Sequence, residues 1–527
     1  MKFERASGIL LHPTSLPGPY GIGDIGPQAF HWLDFLAQAG CRLWQILPLG
    51  PTGYGDSPYQ CFSAMAGNPY LISPEALVAD GMLKPGDLDD RPAFPAGEVD
   101  YDLVIPWKLE LLDQAFQNFQ KRAGTALQQE FIDFRDQQRA WLEDFALFMA
   151  LKEAHDGAPW SRWDAALKRR EERALEQSRR SFAEAIQRQM FRQFIFTRQW
   201  SSLHRYAAKL GIRIIGDIPI FVAHDSSEVW THPELFQLDE DGHPLFVAGV
   251  PPDYFTKTGQ LWGNPLYQWE IHAADGYSWW IGRFRSVLKM VDIVRLDHFR
   301  GFVGYWEVPG DAKTAEIGRW VPGPGAAFFE RLQNELGDLP IIAEDLGVIT
   351  PDVVELRKRF DLPGMKILQF AFSDGPQDPF LPHNYPTHCV VYTGTHDNDT
   401  VRGWYERVPN EEVDFYRRYL DRDGSNVAWD MIRACWASIA VYSIAPLQDF
   451  LDLGNEARMN FPGKPQGNWR WRVPEGAPDA QLALRIKELN YLYGRLPSTS
   501  QFPEVLPDQK HPQSQHRDHD DLPKEFE

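Results

Sequence analysis

A chain of 527 residues can bury a large core, and 43% hydrophobic with 24% charged residues is a globular composition that excludes a fibrous or wholly disordered protein. Lysine and arginine number 53 against 73 acidic residues, a formal charge of −20 that repels phosphate backbones and anionic lipid, so nucleic acid and membrane surfaces are excluded as partners. A neutral substrate is expected, and the 19 tryptophans suit either a large core or the flat faces of sugars.

The N-terminal stretch MKFERASGILLHP holds only a four-residue apolar run, too short for the core of a secretory signal, so a cytoplasmic protein is expected. The next signals in chain order are short apolar runs that end in polar or ionisable residues: GILLHP (8–13), LWQILPL (43–49), RIIGDIPIF (213–221) and VDIVRLD (291–297). IIAED (341–345), KILQF (366–370), VVYTGTHD (390–397) and IAVYSIAPLQD (439–449) follow. Such runs read as strands of a buried parallel sheet, and helix-like stretches such as 28–39 and 352–360 separate many of them. The pattern predicts a (β/α)8 TIM barrel spanning 1–500. A doubly wound sheet is the competitor, but no GxGxxG turn directly follows the first apolar run and no P-loop is present.

Two insertions interrupt the repeat. Residues 70–200 are charged and helical in pattern, with Trp141, Phe145, Phe148 and Met149 marking an apolar face; residues 222–289 are rich in glycine, proline and aromatics and are positioned to cover a site. The polar, proline-bearing stretch 501–527 predicts a disordered tail, in which His511, His516 and His519 are solvated. The longest weakly polar stretch, 435–447, falls short of the roughly 20 residues a membrane-spanning helix needs. Cys41, Cys61, Cys389 and Cys435 form no CxxC pair, so neither a zinc site nor a disulfide framework is expected.

In a barrel the chemistry gathers where strands end. Strand alternation puts Arg295 and Asp297 on one face, and a guanidinium beside a carboxylate keeps it ionised, as a carboxylate nucleophile requires. Glu344 closes an apolar strand, a setting that raises a carboxyl pKa and lets it hold a proton. Asp397 follows a third strand, flanked by His396 and Asn398, whose donors suit sugar hydroxyls. Taken singly, each has a plain structural explanation: an ion pair, a turn cap and a turn former. Together, three acids at three strand ends suit glycosidic chemistry, where one carboxylate attacks the anomeric carbon, a protonated one serves the leaving oxygen, and a further anion faces the positive transition state.

At these motifs the chain resembles the amylomaltases, the 4-α-glucanotransferases of glycoside hydrolase family 77 in the α-amylase superfamily. The resemblance runs from Gly8 to about Leu496. HPTSLPGPYGIGDIG (12–26), LPLGPTGYGDSPYQCFSAMAGNPYLI (47–72), GDIPIFV (216–222), VPPDYFTKTGQLWGNPLY (250–267), RLDHFRGF, AEDLG, GTHDNDT and NWRWR (468–472) carry it. It implies Asp297 as nucleophile, Glu344 as acid/base and Asp397 as stabiliser, with Arg295, His396, Asp217, Asn398 and Tyr59 at the bound sugar or its acids. Trp262 and Asp253 match a flexible lid over the glucan, and Tyr54 and Tyr101 match aromatics of a secondary glucan-contact groove. Where the wider superfamily commonly has Asn and His after the first conserved acid, this chain has Phe221 and Val222, so a calcium ligand is missing and neither metal nor cofactor is expected.

The implied reaction transfers α-1,4-glucan segments to the 4-hydroxyl of glucose or a maltooligosaccharide through a covalent intermediate. A retaining α-glucan hydrolase would use the same acids, and a non-catalytic glucan-binding protein would use the aromatics alone.

Overall fold

The structure is a computed structural model that describes residues 3–252, 257–464 and 466–497. Eight parallel strands close into a barrel: β1 (Ala6–Leu10), β2 (Leu43–Gln45), β3 (Arg213–Ile218), β6 (Ile293–Leu296), β9 (Ile341–Ala343), β10 (Gly364–Ile367), β11 (Cys389–Tyr392) and β12 (Tyr442–Pro446). Neighbours around the barrel follow that order, and β12 closes on β1. Each predicted apolar run contributes one of these strands, and the polar residues that end the runs lie just beyond or at the strand ends.

Both faces of every strand are buried, which is why the strands read as apolar runs rather than as alternations. Leu43, Ile215, Ile293, Ile342, Val390 and Ile444 fill the barrel interior. Their sequence neighbours, among them Trp44, Ile214, Val294, Ala343 and Val391, face outward into the larger core beneath the helices. Asp217 and Arg295 keep the phase of Ile215 and Ile293, so they project into the barrel mouth.

Between β2 and β3 the chain forms long helices, including Tyr101–Arg122, Arg139–Ala154 and Ala183–Lys209. The last of these returns along the barrel, where the Trp200 indole N–H donates to the Met290 carbonyl at 2.9 Å. Around β6, the strands β4 (Phe246–Val250), β5 (Gln260–Pro265), β7 (Gly304–Pro309) and β8 (Arg319–Pro322) build an antiparallel sheet in the order β5, β4, β7, β8. That sheet places Trp262 of β5 beside the loop that follows β6.

β9 is short, and a side chain secures its end. Asp345 accepts the Met365 backbone N–H at 2.7 Å and pairs with Arg357 at 3.0 Å. A Cβ at Gly364 would meet the Asp345 carboxylate at 2.4 Å, so glycine is required where β10 passes beneath it. This clamp fixes the strand end that carries Glu344.

Candidate active site

Asp217 and Arg295 are register partners on β3 and β6. Arg295 Nη1 lies 2.7 Å from Asp217 Oδ2 and 2.9 Å from Asp297 Oδ1. Tyr59, from the loop after β2, donates its hydroxyl to the same Asp217 oxygen at 2.7 Å. Burial and the negative Asp297 push the Asp217 carboxyl up to about 7, against the opposing pull of Arg295 and Tyr59. Burial disfavours the charge on Arg295, but Asp217 and Asp297 outweigh it and hold the guanidinium pKa well above its ordinary value.

Asp297 lies one residue past β6, anchored by its backbone N–H to the Ile218 carbonyl at 3.0 Å, and its side chain is 27% exposed. His298 then turns the chain with φ 48° and ψ 51°, a left-handed conformation uncommon outside glycine. This turn aims the His298 N–H at Glu344 Oε2, 2.7 Å away, while Leu346 N–H reaches Glu344 Oε1 at 3.0 Å. Backbone bonds from Glu344 N to the Leu296 carbonyl (3.1 Å) and from Phe299 N to the Glu344 carbonyl (3.0 Å) stitch the two strand ends together. Asp297 and Glu344 therefore share one neighbourhood beside Arg295.

Burial raises the Glu344 carboxyl to about 8, with Asp297 adding to the rise and Arg295 and the two backbone donors opposing it. At neutral pH one acid is thus ion-paired with a guanidinium and its neighbour holds a proton, the separation of roles that glycosidic chemistry uses.

Asp397 follows β11 and is the most open of the three acids, with a side chain 45% exposed. Asn460 donates to its Oδ1 at 2.6 Å, and Arg458 donates to its backbone carbonyl at 2.6 Å. His396 Nε2 lies 3.4 Å from Asp397 Oδ1, and burial lowers the imidazole pKa, so the ring is neutral at pH 7. It stacks on Tyr59 with centroids 5.2 Å apart and planes 14° apart, and Trp469 closes the cluster at 5.9 Å from both rings. His12, after β1, is held neutral too, its pKa lowered to about 3 by burial and by His396; its Nδ1 accepts the Leu47 N–H at 3.3 Å.

The remaining residues singled out in the sequence fall into different settings. Trp262 meets His298 edge to face at 4.8 Å and donates to Gln260 Oε1 at 3.2 Å. Asn398 spends its amide oxygen on the Thr395 backbone and hydroxyl, both at 2.9 Å, shaping the turn that carries Asp397. Tyr54 is 76% exposed, whereas Tyr101 is 8% exposed and commits its hydroxyl to the Trp469 carbonyl at 2.9 Å rather than to solvent. Asp253 lies outside the described residues. Sequence reasoning missed Trp469, Asn460, Arg458, His298 and His12 as contributors; the NWRWR motif contains the first, but nothing in its spacing tells which element it meets. Among the described residues, no three His, Cys, Asp or Glu side chains are arranged to hold a metal ion.

A family model described as 4-alpha-glucanotransferase matches residues 11–478. The 4-alpha-glucanotransferase of Thermus thermophilus is 53% identical over 497 residues, which span 93% of this chain and 99% of that protein. The chloroplastic/amyloplastic 4-alpha-glucanotransferase of Arabidopsis thaliana is 45% identical over 499 residues, spanning 94% and 86%. Among solved structures, the amylomaltase from Streptococcus agalactiae in complex with acarbose superposes with a TM-score of 0.91 at 41% identity, covering 94% of this chain and all of that one. The chain therefore belongs to the 4-alpha-glucanotransferase family, the amylomaltases of glycoside hydrolase family 77.

Proposed function

We propose that this 4-α-glucanotransferase moves α-1,4-glucan segments by double displacement with net retention. In the first step an Asp297 oxygen bonds to the anomeric carbon as the glycosidic C–O bond breaks, and Glu344 gives its proton to the departing 4-oxygen. In the second, Glu344 takes the proton from the 4-hydroxyl of an acceptor, glucose or a maltooligosaccharide, while that oxygen displaces the aspartyl ester. Asp397 faces the positive charge that develops at the sugar, with neutral His396 and Asn398 beside it. Asp217 and Tyr59 orient Arg295, which in turn holds Asp297.

The observation that carries this reading is the Arg295–Asp297 pair stitched by backbone to a Glu344 whose carboxyl burial raises to about 8. The acarbose held by the Streptococcus agalactiae amylomaltase supports an α-glucan as the ligand class here as well. Trp262 and Asp253 serve a lid over that glucan, and the exposed Tyr54 a more distant contact, whereas the buried Tyr101 supports Trp469 instead. Excluding water and aligning an acceptor at high effective molarity favours transfer over hydrolysis.

The test is product analysis from maltotriose. Transfer yields glucose together with longer oligomers at constant total reducing ends; a rise in reducing ends that tracks substrate loss means hydrolysis instead. Asp297→Asn should abolish turnover while glucan binding stays measurable, and full activity in that variant removes Asp297 from the mechanism.

A further inference from the structure

Trp469 touches the site from a segment to which the reaction assigns nothing, and it touches it in two ways. Its ring closes the cluster with Tyr59 and His396, at 5.9 Å from each. Its backbone N–H donates to the Met459 carbonyl at 2.8 Å, and the next residue, Asn460, is the one that holds Asp397 Oδ1. A single residue thus bears on His396, on Tyr59, which both stacks on His396 and donates to Asp217, and on the segment that orients Asp397.

The backbone at this point is unusual. Trp469 has φ 64°, in the left-handed region where a bulky residue is an outlier that persists only when its surroundings over-determine it. Here they do so from three sides. The Tyr101 hydroxyl donates to the Trp469 carbonyl at 2.9 Å, so the first turn of the helix Tyr101–Arg122 buttresses the residue. On either side, Asn468 accepts the Phe461 N–H at 2.9 Å and Arg470 Nε donates to the Val99 carbonyl at 2.9 Å. An ordinary core tryptophan would fill space from a relaxed strand or helix. This one is held in a strained conformation with its ring against the mouth of the barrel.

We infer that Trp469 is a positioning residue for the transfer reaction: its ring sets the planes of Tyr59 and His396, and its backbone fixes the segment that aims Asp397. The inference rests on the proposed roles of Asp297, Glu344 and Asp397, and it adds a structural route from the helical insertion into the site. Loss of the ring leaves the acids in place but lets their orienting partners relax, so the effect falls on kcat more than on KM.

The experiment compares Trp469→Phe, Trp469→Leu and Trp469→Ala in the full chain, with kcat and KM for maltotriose measured per folded enzyme and Tm recorded for each. Trp469→Ala should lose about 100-fold in kcat, the scale of a 1 Å misplacement, with KM changed less than about threefold. Trp469→Phe, which keeps a ring face, should recover at least about tenfold of that loss relative to Trp469→Leu. If Trp469→Ala does not fold, the order of Phe above Leu in kcat carries the test alone. Equal kcat for Phe and Leu, or a fall in Tm with wild-type kcat in all three, overturns the inference. Asp297→Asn runs alongside: an inactive Asp297→Asn with an unaffected Trp469→Ala refutes only the role of Trp469, whereas an active Asp297→Asn refutes the reading beneath it.

Discussion

Arg295 presents one guanidinium nitrogen, Nη1, to two carboxylates at once, 2.7 Å from Asp217 and 2.9 Å from Asp297. The shared nitrogen makes Asp217 and Asp297 a single electrostatic unit, although only Asp297 is open enough to meet a substrate. A lysine cannot reproduce this, because its point charge sits on a flexible stem without the planar fork. Arg295→Lys should therefore lower kcat on maltotriose by about 100- to 1,000-fold, the range found when one preorganised electrostatic partner is removed from an active site. Steady-state kinetics decide it, and a kcat within threefold of wild type would mean that the pairing is structural only.

The pH profile follows from Glu344. A carboxyl raised to about 8 holds its proton below that value and gives it up above, so the acid form is lost as the solution becomes alkaline. kcat/KM should fall on the alkaline side with an apparent pKa about 8. A profile that stays flat from pH 6 to pH 10 contradicts Glu344 as the proton donor.

Much of this was legible in the sequence, for identifiable reasons. Doubly buried parallel strands must be apolar throughout, so the runs at 213–221, 291–297 and 341–345 announced themselves, and two-residue alternation sufficed to put Arg295 and Asp297 on one face. What escaped has no period to read. Asn460 meets Asp397 across 63 residues of sequence, through loops whose course depends on the whole fold, and Tyr59, which only the family resemblance singles out, meets Asp217 across 158. The left-handed turn at His298 is equally silent, since histidine seldom adopts it and no glycine marks the place. Tyr101 shows a further limit: the direction of its hydroxyl, toward Trp469, is set by packing, which no motif records.

The raised carboxyl also has a consequence for stability. Glu344 titrates at about 4.5 when unfolded and about 8 when folded, so between those values the folded state keeps a proton that the unfolded chain has released. Stability from this group is fully present below about pH 4.5 and is lost as pH rises toward 8. Glutamine never ionises, although it turns its amide group toward one of the two backbone donors at every pH. Relative to wild type, Glu344→Gln should gain roughly 1–3 °C in Tm between pH 5 and pH 8. Thermal melts across that range measure the slope, and a difference independent of pH means that the wild-type carboxyl is not protonated in the fold.

Asn460 offers the most direct probe of Asp397. Its amide donates to Asp397 Oδ1 at 2.6 Å, a charge-assisted bond to the acid that would face the oxocarbenium-like transition state. Asn460→Ala frees the carboxylate to swing, and kcat should drop by about 10- to 100-fold, or roughly 1.4–2.7 kcal/mol of transition-state stabilisation. KM should move little, because the interaction lost is one made in the transition state rather than with bound substrate. Asn460→Asp tests the sign as well as the size. It replaces a donor by a second carboxylate against Asp397, and like charges at hydrogen-bond distance cannot both stay ionised, so the pair would share a proton. At pH 7 this variant should lose more activity than Asn460→Ala, since the shared proton neutralises the anion the transition state needs. Parallel kinetics of the two variants settle the matter: if Asn460→Asp is the more active of the two, Asp397 does not act through its negative charge.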